Sequence, residues 1–152
     1  MIDYLVNSNL VLLTLCLVVL AAIIWHWLEV RWDSKSFYRD KEGVFTNLHI
    51  RKALYVFDHV ENLVPVDVRS TKEFEESHIP GAVNATYEDK DIDRSALSDL
   101  NRDTPILLYC EGGFHSRCAI DLLKKMEFRT IYHLHRGFAS WKLFGGDTES
   151  SA

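Results

Sequence analysis

Apolar and polar residues recur with two different periods along residues 43–146. Apolar residues spaced every three or four positions, typical of helices, occur at 47–59, 95–100, 116–126 and 139–144. Short apolar runs bounded by turn residues indicate strands at Leu63–Val68, Ala82–Ala85, Ile106–Tyr109 and Ile131–Leu134. Strands that alternate with helices predict an α/β domain with a mostly parallel sheet.

The first 28 residues have a different pattern. Between Tyr4 and Leu28 no side chain is formally charged, and residues 10–24 are almost wholly aliphatic. A bilayer core of about 30 Å needs roughly 20 apolar residues in a helix, so this segment predicts one transmembrane helix. A buried core helix and a cleaved signal peptide are the alternatives. The signal peptide is disfavoured because no basic residue and no small-residue cleavage site accompany the apolar run.

Basic residues follow the apolar segment and none precedes it. They are Arg31, Lys35, Arg39 and Lys41. The positive-inside rule then places the following domain in the cytoplasm. We therefore predict a single-pass membrane protein that contacts the lipid bilayer through its N-terminal helix. The predicted divisions are an anchor at 1–28, a charged juxtamembrane linker at 29–42, a folded domain at 43–146 and a polar tail at 147–152.

Composition limits the classes of function. The 152 residues provide for one domain and a modest extra element, and 47% of them are apolar, which is enough for a core. The net charge is -5 and no basic stripe occurs, so nucleic acid is not an expected partner. Three cysteines, Cys16, Cys110 and Cys118, do not form a disulfide framework. They indicate a reducing compartment, or one thiol kept for chemistry.

Cys110 lies at a position suited to chemistry. It ends the predicted strand Ile106–Tyr109 and precedes Gly112, Gly113 and a predicted helix. Ligands of open α/β sheets bind beyond the carboxyl ends of the strands. Backbone N–H groups of a tight loop, together with the helix dipole, stabilise a thiolate there. Cys110 is therefore a candidate nucleophile, and a buried structural cysteine is the alternative.

Three groups of residues resemble the motifs of the rhodanese family. The first half of such a domain is matched by Val66–Arg69, Glu73–Phe74, His78–Ala82 and Asn84. The active-site loop is matched by Tyr109, Cys110, Gly113 and Ser116, and the closing motif by Arg136–Phe138 and Trp141. The resemblance covers 44–146. It implies a five-stranded, mostly parallel sheet flanked by helices, and a cysteine that carries sulfane sulfur as a persulfide.

The resemblance also implies roles for individual residues. Cys110 would be the catalytic residue, with a sulfur donor and a thiol or other nucleophilic acceptor as partners. The substrate-binding loop would consist of Glu111, Gly112, Gly113, Phe114, His115 and Ser116. Asp67 and Arg69 would support this loop through hydrogen bonds and an ion pair with Glu73. We expect no cofactor and no metal site, because His133 and His135 have no third ligand nearby in the sequence.

Two residues depart from the family's loop. His115 stands where the family usually has arginine, so a titratable side chain replaces a fixed cation. Glu111, directly after Cys110, repels anions and opposes formation of a thiolate. We therefore expect thiosulfate, a dianion, to be a poor sulfur donor for this chain.

Two other functions compete with membrane-anchored sulfur transfer. The first is a binding module without catalysis, which recruits a protein partner at the membrane; the substitution at His115 keeps it open. The second is phosphatase or arsenate-reductase chemistry. That chemistry needs an arginine six residues after the cysteine, where this chain has Ser116, so it is the weakest of the three.

Overall fold

The computed structural model describes residues 11–25, 27 and 43–151. The chain divides into two compact units, Met1–Phe37 and Tyr38–Ala152. In the first unit the described residues form one helix, α1, over 11–25 and at 27.

The described helices do not agree with the predicted membrane location of the protein. Among residues 11–25, 27 and 43–151, no helix is both long and apolar enough to cross a membrane. The predicted location as a single-pass membrane protein with its domain facing the cytoplasm is therefore wrong, and the described helices give no support to the predicted bilayer partner. The rest of the predicted anchor and the linker at 29–42 lie outside the described residues.

The second unit is built on a five-stranded sheet. In chain order the strands of this unit are β1 (Phe45–Leu48), β2 (Val64–Asp67), β3 (Val83–Asn84), β4 (Tyr87–Glu88), β5 (Asp91–Ile92), β6 (Ile106–Tyr109) and β7 (Ile131–Leu134). The large sheet has the order β1-β7-β6-β2-β3, and all its pairs are parallel. Strands β4 and β5 form a separate antiparallel pair.

Helices cover this sheet. They are α2 (Ile50–His59), α3 (Thr71–Glu76), α4 (Phe114–Lys125) and α5 (Gly137–Leu143), with a short 3₁₀ helix at Ser95–Leu97. The predicted α/β class, with a five-stranded parallel sheet flanked by helices, is confirmed. A capping box begins α3: the Ser70 hydroxyl accepts from the Glu73 amide, and the Glu73 carboxylate accepts from the Ser70 amide.

The core lies on both faces of the sheet, and β6 shows why. All four residues of β6 are buried, and successive side chains of a strand point to opposite faces. Ile106 and Leu108 pack in the cluster that contains Ala119 and Leu123 of α4. Leu107 and Tyr109 pack in the cluster that contains residues of α2 and α5. A strand buried on both faces is uniformly apolar, which is the pattern that ends at Cys110.

One helix boundary differs from the prediction, and one proline lies within a predicted strand. The helix predicted from residue 47 begins at Ile50, and Phe45–Leu48 before it form the edge strand β1. Pro65 lies in β2, an interior strand of the sheet, where a residue without an N–H is unusual. The Val64 amide bonds toward β6, so the position of Pro65 faces the other neighbour, β3, whose pairing with β2 begins only at Val66. The missing N–H of Pro65 therefore interrupts no ladder bond.

The C-terminal residues contact the domain. The Trp141 indole N–H donates to the Asp147 carbonyl at 2.8 Å, and Glu149 forms a bridge with His78. The predicted limits of the domain at 43–146 and of the tail at 147–152 stay predictions.

Trp141 anchors α5 to the core, so its removal should destabilise the domain. The side chain is fully buried and meets the edge of Phe57 at a ring distance of 5.2 Å. We expect Trp141→Ala to lower the free energy of unfolding by roughly 3–5 kcal/mol, measured by chemical denaturation. Leu143→Ala, on the same helix but 80% exposed, is the matched control and should change it little. Equal effects of the two substitutions would contradict this packing.

Candidate active site

Cys110 lies directly beyond the carboxyl end of β6 and is only 3% exposed to solvent. Its Sγ accepts a hydrogen bond from the Gly113 amide at 3.1 Å and lies 3.4 Å from the Ser116 hydroxyl oxygen. Gly113 caps α4, and Ser116 is in its first turn, so the sulfur sits at the start of this helix. An anionic sulfur at this position is stabilised by the amide, the hydroxyl and the helix dipole.

Two glycines allow the loop after Cys110 to pack against the end of β7 and the start of α5. Gly113 has φ +90°, and a Cβ there would lie 2.0 Å from the His135 carbonyl oxygen. Gly137 has φ +58°, and a Cβ there would lie 2.1 Å from the Cys110 carbonyl oxygen. The amide of Phe138 donates to that same Cys110 carbonyl at 2.8 Å. The loop is thereby fixed at both of its ends.

Arg69 supports the loop from below, through different partners than the sequence suggested. Its guanidinium binds the buried Asp67 carboxylate at 2.7 Å and the Glu111 carboxylate at 3.2 Å. The predicted partner Glu73 instead accepts hydrogen bonds from Ser70. Burial alone would lower the pKa of Arg69, but the hydrogen bond and charge of Asp67 raise the pKa above its usual value. Arg69 is therefore a permanent cation that neutralises part of the charge of Glu111.

A cavity of about 390 Å³ opens above Cys110. The predicted site residues that line it are Arg69, Cys110, Glu111, Gly112, Phe114 and His115. Gly113 and Ser116 contact Sγ, and Asp67 is buried beside Arg69. Phe114 is 73% exposed and presents an apolar ring at the opening. The structure thus brings the predicted residues together, while their roles stay predictions.

The cavity has an acidic rim that the loop sequence did not reveal. Glu73 and Glu88 line it together with Glu111, and both come from elements outside the loop. His115 lies 6.1 Å from the ring of Tyr87, which also lines the cavity. Lys142 approaches Glu111 only to 4.0 Å. A negatively charged donor therefore meets three carboxylates at this opening.

Sequence reasoning also missed a polar cluster behind the sulfur. Ser116 Oγ lies 2.9 Å from His133 Nε2, and His133 Nδ1 lies 2.7 Å from Asn47 Oδ1. Burial is the main reason that the pKa of His133 falls to about 3, and the electrostatic effect of the neighbouring His135 lowers it further. The register of β1 with β7, which pairs Asn47 with His133, brings these residues together. No group of His, Cys, Asp or Glu within the described part of the chain is arranged to hold a metal ion.

The close contact at Gly113 gives a sharp prediction. We expect Gly113→Ala to lower the free energy of unfolding by more than about 1 kcal/mol, because its φ is left-handed and its Cβ would collide with backbone. Gly112→Ala is the control, since nothing lies within 4 Å of its Cβ. Thermal or chemical unfolding of both variants measures this difference. Equal stability of the two would contradict the described loop.

Known proteins resemble this chain. The probable molybdopterin-synthase adenylyltransferase of Porphyra purpurea is 40% identical over 77 residues, 50% of this chain and 19% of that protein. The thiosulfate sulfurtransferase GlpE of Coxiella burnetii is 32% identical over 81 residues, 53% of this chain and 73% of that protein. The crystal structure of the Alr3790 protein from Anabaena sp matches with a TM-score of 0.60 and 27% identity, covering 68% of this chain and 80% of that one.

The extent of these matches differs between proteins. The chain spans 19%, 58% and 44% of the lengths of three curated relatives that are 31–40% identical to it. The model of the rhodanese-like domain family matches residues 52–143, which is more than half of the chain and includes Asp67, Arg69 and Cys110. With the five-stranded parallel sheet and a cysteine at the carboxyl end of β6, this match shows that the chain belongs to the rhodanese-like domain family.

Proposed function

We propose that this chain is a sulfurtransferase that carries sulfane sulfur as a persulfide on Cys110. The observation that carries the proposal is the position of Sγ, at the inner end of a cavity and within reach of the Gly113 amide and the Ser116 hydroxyl. A relative, GlpE of Coxiella burnetii, is named a thiosulfate sulfurtransferase, which supports the same class of reaction here.

The reaction has two halves. In the first, Sγ of Cys110 attacks the outer sulfur of a persulfide donor, the S–S bond of the donor breaks, and the donor leaves as a thiol. In the second, an acceptor thiol attacks the outer sulfur on Cys110 and leaves with it, which restores the cysteine. The Gly113 amide stabilises the negative charge on sulfur between the two halves.

The rim of the cavity favours donors with little negative charge. Glu73, Glu88 and Glu111 face the opening, and Arg69, the fixed cation that lines it, is already paired with Asp67 and Glu111. A dianion such as thiosulfate therefore enters against net repulsion. A persulfide on a small thiol or on a protein meets less repulsion, and the exposed Phe114 offers apolar contact to it.

Persulfide formation separates this proposal from a binding module without catalysis. After incubation with a persulfide donor, we expect the intact mass of the protein to rise by one sulfur atom. Peptide mass spectrometry should locate that sulfur on Cys110. Cys118→Ser, which removes an exposed thiol, should still gain the sulfur, and Cys110→Ser should not. An unchanged mass of the wild type would favour the binding module.

The acidic rim predicts slow transfer from thiosulfate at neutral pH. Glu111→Gln and His115→Arg should each raise kcat/KM for thiosulfate several-fold, because each change in charge is worth on the order of 1 kcal/mol in a partly exposed site. Transfer of thiosulfate sulfur to cyanide measures this. Glu61→Gln is the control, since Glu61 is exposed and does not line the cavity. It precedes β2 at the amino-terminal end of the strand, whereas Cys110 lies beyond the carboxyl end of β6. A fast wild type that His115→Arg slows would contradict the electrostatic account.

A further inference from the structure

We propose that His133 is a positioning residue that takes up the proton of the Cys110 thiol through Ser116. This inference rests on the proposed persulfide chemistry for its use in turnover. It concerns a buried cluster that connects the sulfur to β7 and β1, on the side of Cys110 away from the open cavity.

The cluster is a continuous series of polar contacts. Ser116 Oγ lies 3.4 Å from Cys110 Sγ and 2.9 Å from His133 Nε2. His133 Nδ1 lies 2.7 Å from Asn47 Oδ1, and Asn47 Nδ2 lies 3.3 Å from His135 Nδ1. Ser116 and His133 are almost completely buried. A proton that leaves the sulfur therefore has a path that does not pass through the open cavity.

Ser116 has a single hydroxyl proton, which couples the two ends of this path. When His133 Nε2 is unprotonated, the hydroxyl donates to it and its oxygen can accept from the Cys110 thiol. When Nε2 carries a proton, Nε2 donates to Ser116, and the hydroxyl donates to the thiolate. The same atoms thus satisfy both the thiol with a neutral imidazole and the thiolate with an imidazolium.

Both ring nitrogens of a protonated His133 would face a hydrogen-bond acceptor. Nδ1 faces Asn47 Oδ1, while Nε2 faces Ser116 Oγ at 2.9 Å and the Gly113 carbonyl at 3.2 Å. A carbonyl oxygen only accepts, so the Gly113 contact becomes a hydrogen bond only when Nε2 carries a proton. Gly113 therefore serves both ends, donating its amide to Sγ and offering its carbonyl to the imidazolium.

Charge explains why the proton moves only when the sulfur ionises. Burial, with the electrostatic effects of His135 and Arg117, lowers the pKa of His133 to about 3, so an imidazolium beside a neutral thiol is unfavourable. Cys110 is the titratable group on the opposite side of Ser116, and its thiolate supplies the missing negative charge.

The protons balance through both halves of the reaction. Cys110 Sγ loses its proton to Ser116, which passes its own to His133, while Sγ bonds to the outer sulfur of the donor persulfide. The proton of that outer sulfur leaves with the departing thiol, so a Cys110 persulfide anion remains beside an imidazolium. When an acceptor thiol takes the outer sulfur with its own proton, His133 returns a proton to Cys110 through Ser116.

Alkylation of Cys110 by iodoacetamide tests the relay without any sulfur donor. The rate is followed against pH on the full chain, with the modified cysteine identified by peptide mass spectrometry. We expect His133→Gln and Ser116→Ala to slow alkylation about tenfold near neutral pH and to move the midpoint of the profile upward. Asn47→Asp adds a carboxylate 2.7 Å from Nδ1, stabilises the imidazolium, and should move the midpoint downward.

The opposite directions of the expected midpoint shifts in His133→Gln and Asn47→Asp distinguish a proton relay from simple support of the fold. His59→Gln alters an exposed histidine of α2 and should leave the profile unchanged. Identical pH profiles of alkylation in the wild type, His133→Gln and Asn47→Asp would overturn the proposal. Midpoints of His133→Gln and Asn47→Asp that shift in the same direction would also overturn it. If the His133 variant does not fold, ¹⁵N NMR of the wild-type histidine rings decides. His133 should become an imidazolium as Cys110 ionises, and a ring that stays neutral would overturn the relay.

The same measurements separate this inference from sulfur transfer itself. The predicted alkylation profiles in a chain that never gains sulfur would support the relay and overturn the sulfurtransferase function. A Cys110 persulfide that forms at an equal rate in the wild type and His133→Gln would support the function and overturn the relay.

Discussion

The close approach of the Cys110 loop to the end of β7 is the contact on which the site depends. Gly113 lies against the His135 carbonyl, and Gly137 lies against the Cys110 carbonyl, with no room for a Cβ in either place. This packing aims the Gly113 amide at Sγ and its carbonyl at His133. One loop conformation therefore sets the surroundings of the sulfur on the side of the cavity and on the side of the core.

The electrostatics of the site divide between these two sides. Toward the cavity, Arg69 is held by Asp67 and shared with Glu111, so the opening keeps an acidic rim. Toward the core, His133 and Ser116 form a buried polar cluster that can change its protonation with the sulfur. The first arrangement acts on which donor approaches, and the second acts on how readily the sulfur ionises.

The sequence predicted the features that depend on local pattern, and it missed the contacts that depend on strand pairing and on residues distant in the chain. The apolar run of β6 ending at Cys110, with glycines and a helix after it, was enough to locate the thiol and its loop. The local pattern places Asn47 and Leu48, the last two residues of β1, at the start of a helix, because strand pairing and not local pattern buries Asn47. Asn47 is 86 residues from His133, and Arg69 is 42 from Glu111, so neither contact has a local signal. The apolar N-terminal run suggested a membrane span, but none of the helices among the described residues is both long and apolar enough to cross a membrane.

The central claim is that Cys110 holds the transferred sulfur within this loop. A crystal structure of the protein after reaction with a persulfide donor tests it most directly. We expect a second sulfur atom bonded to Sγ, in the cavity beside Glu111 and Gly112, with the contacts of Sγ to Gly113 and Ser116 retained. An unmodified Cys110, or a sulfur found on Cys118 instead, would contradict it.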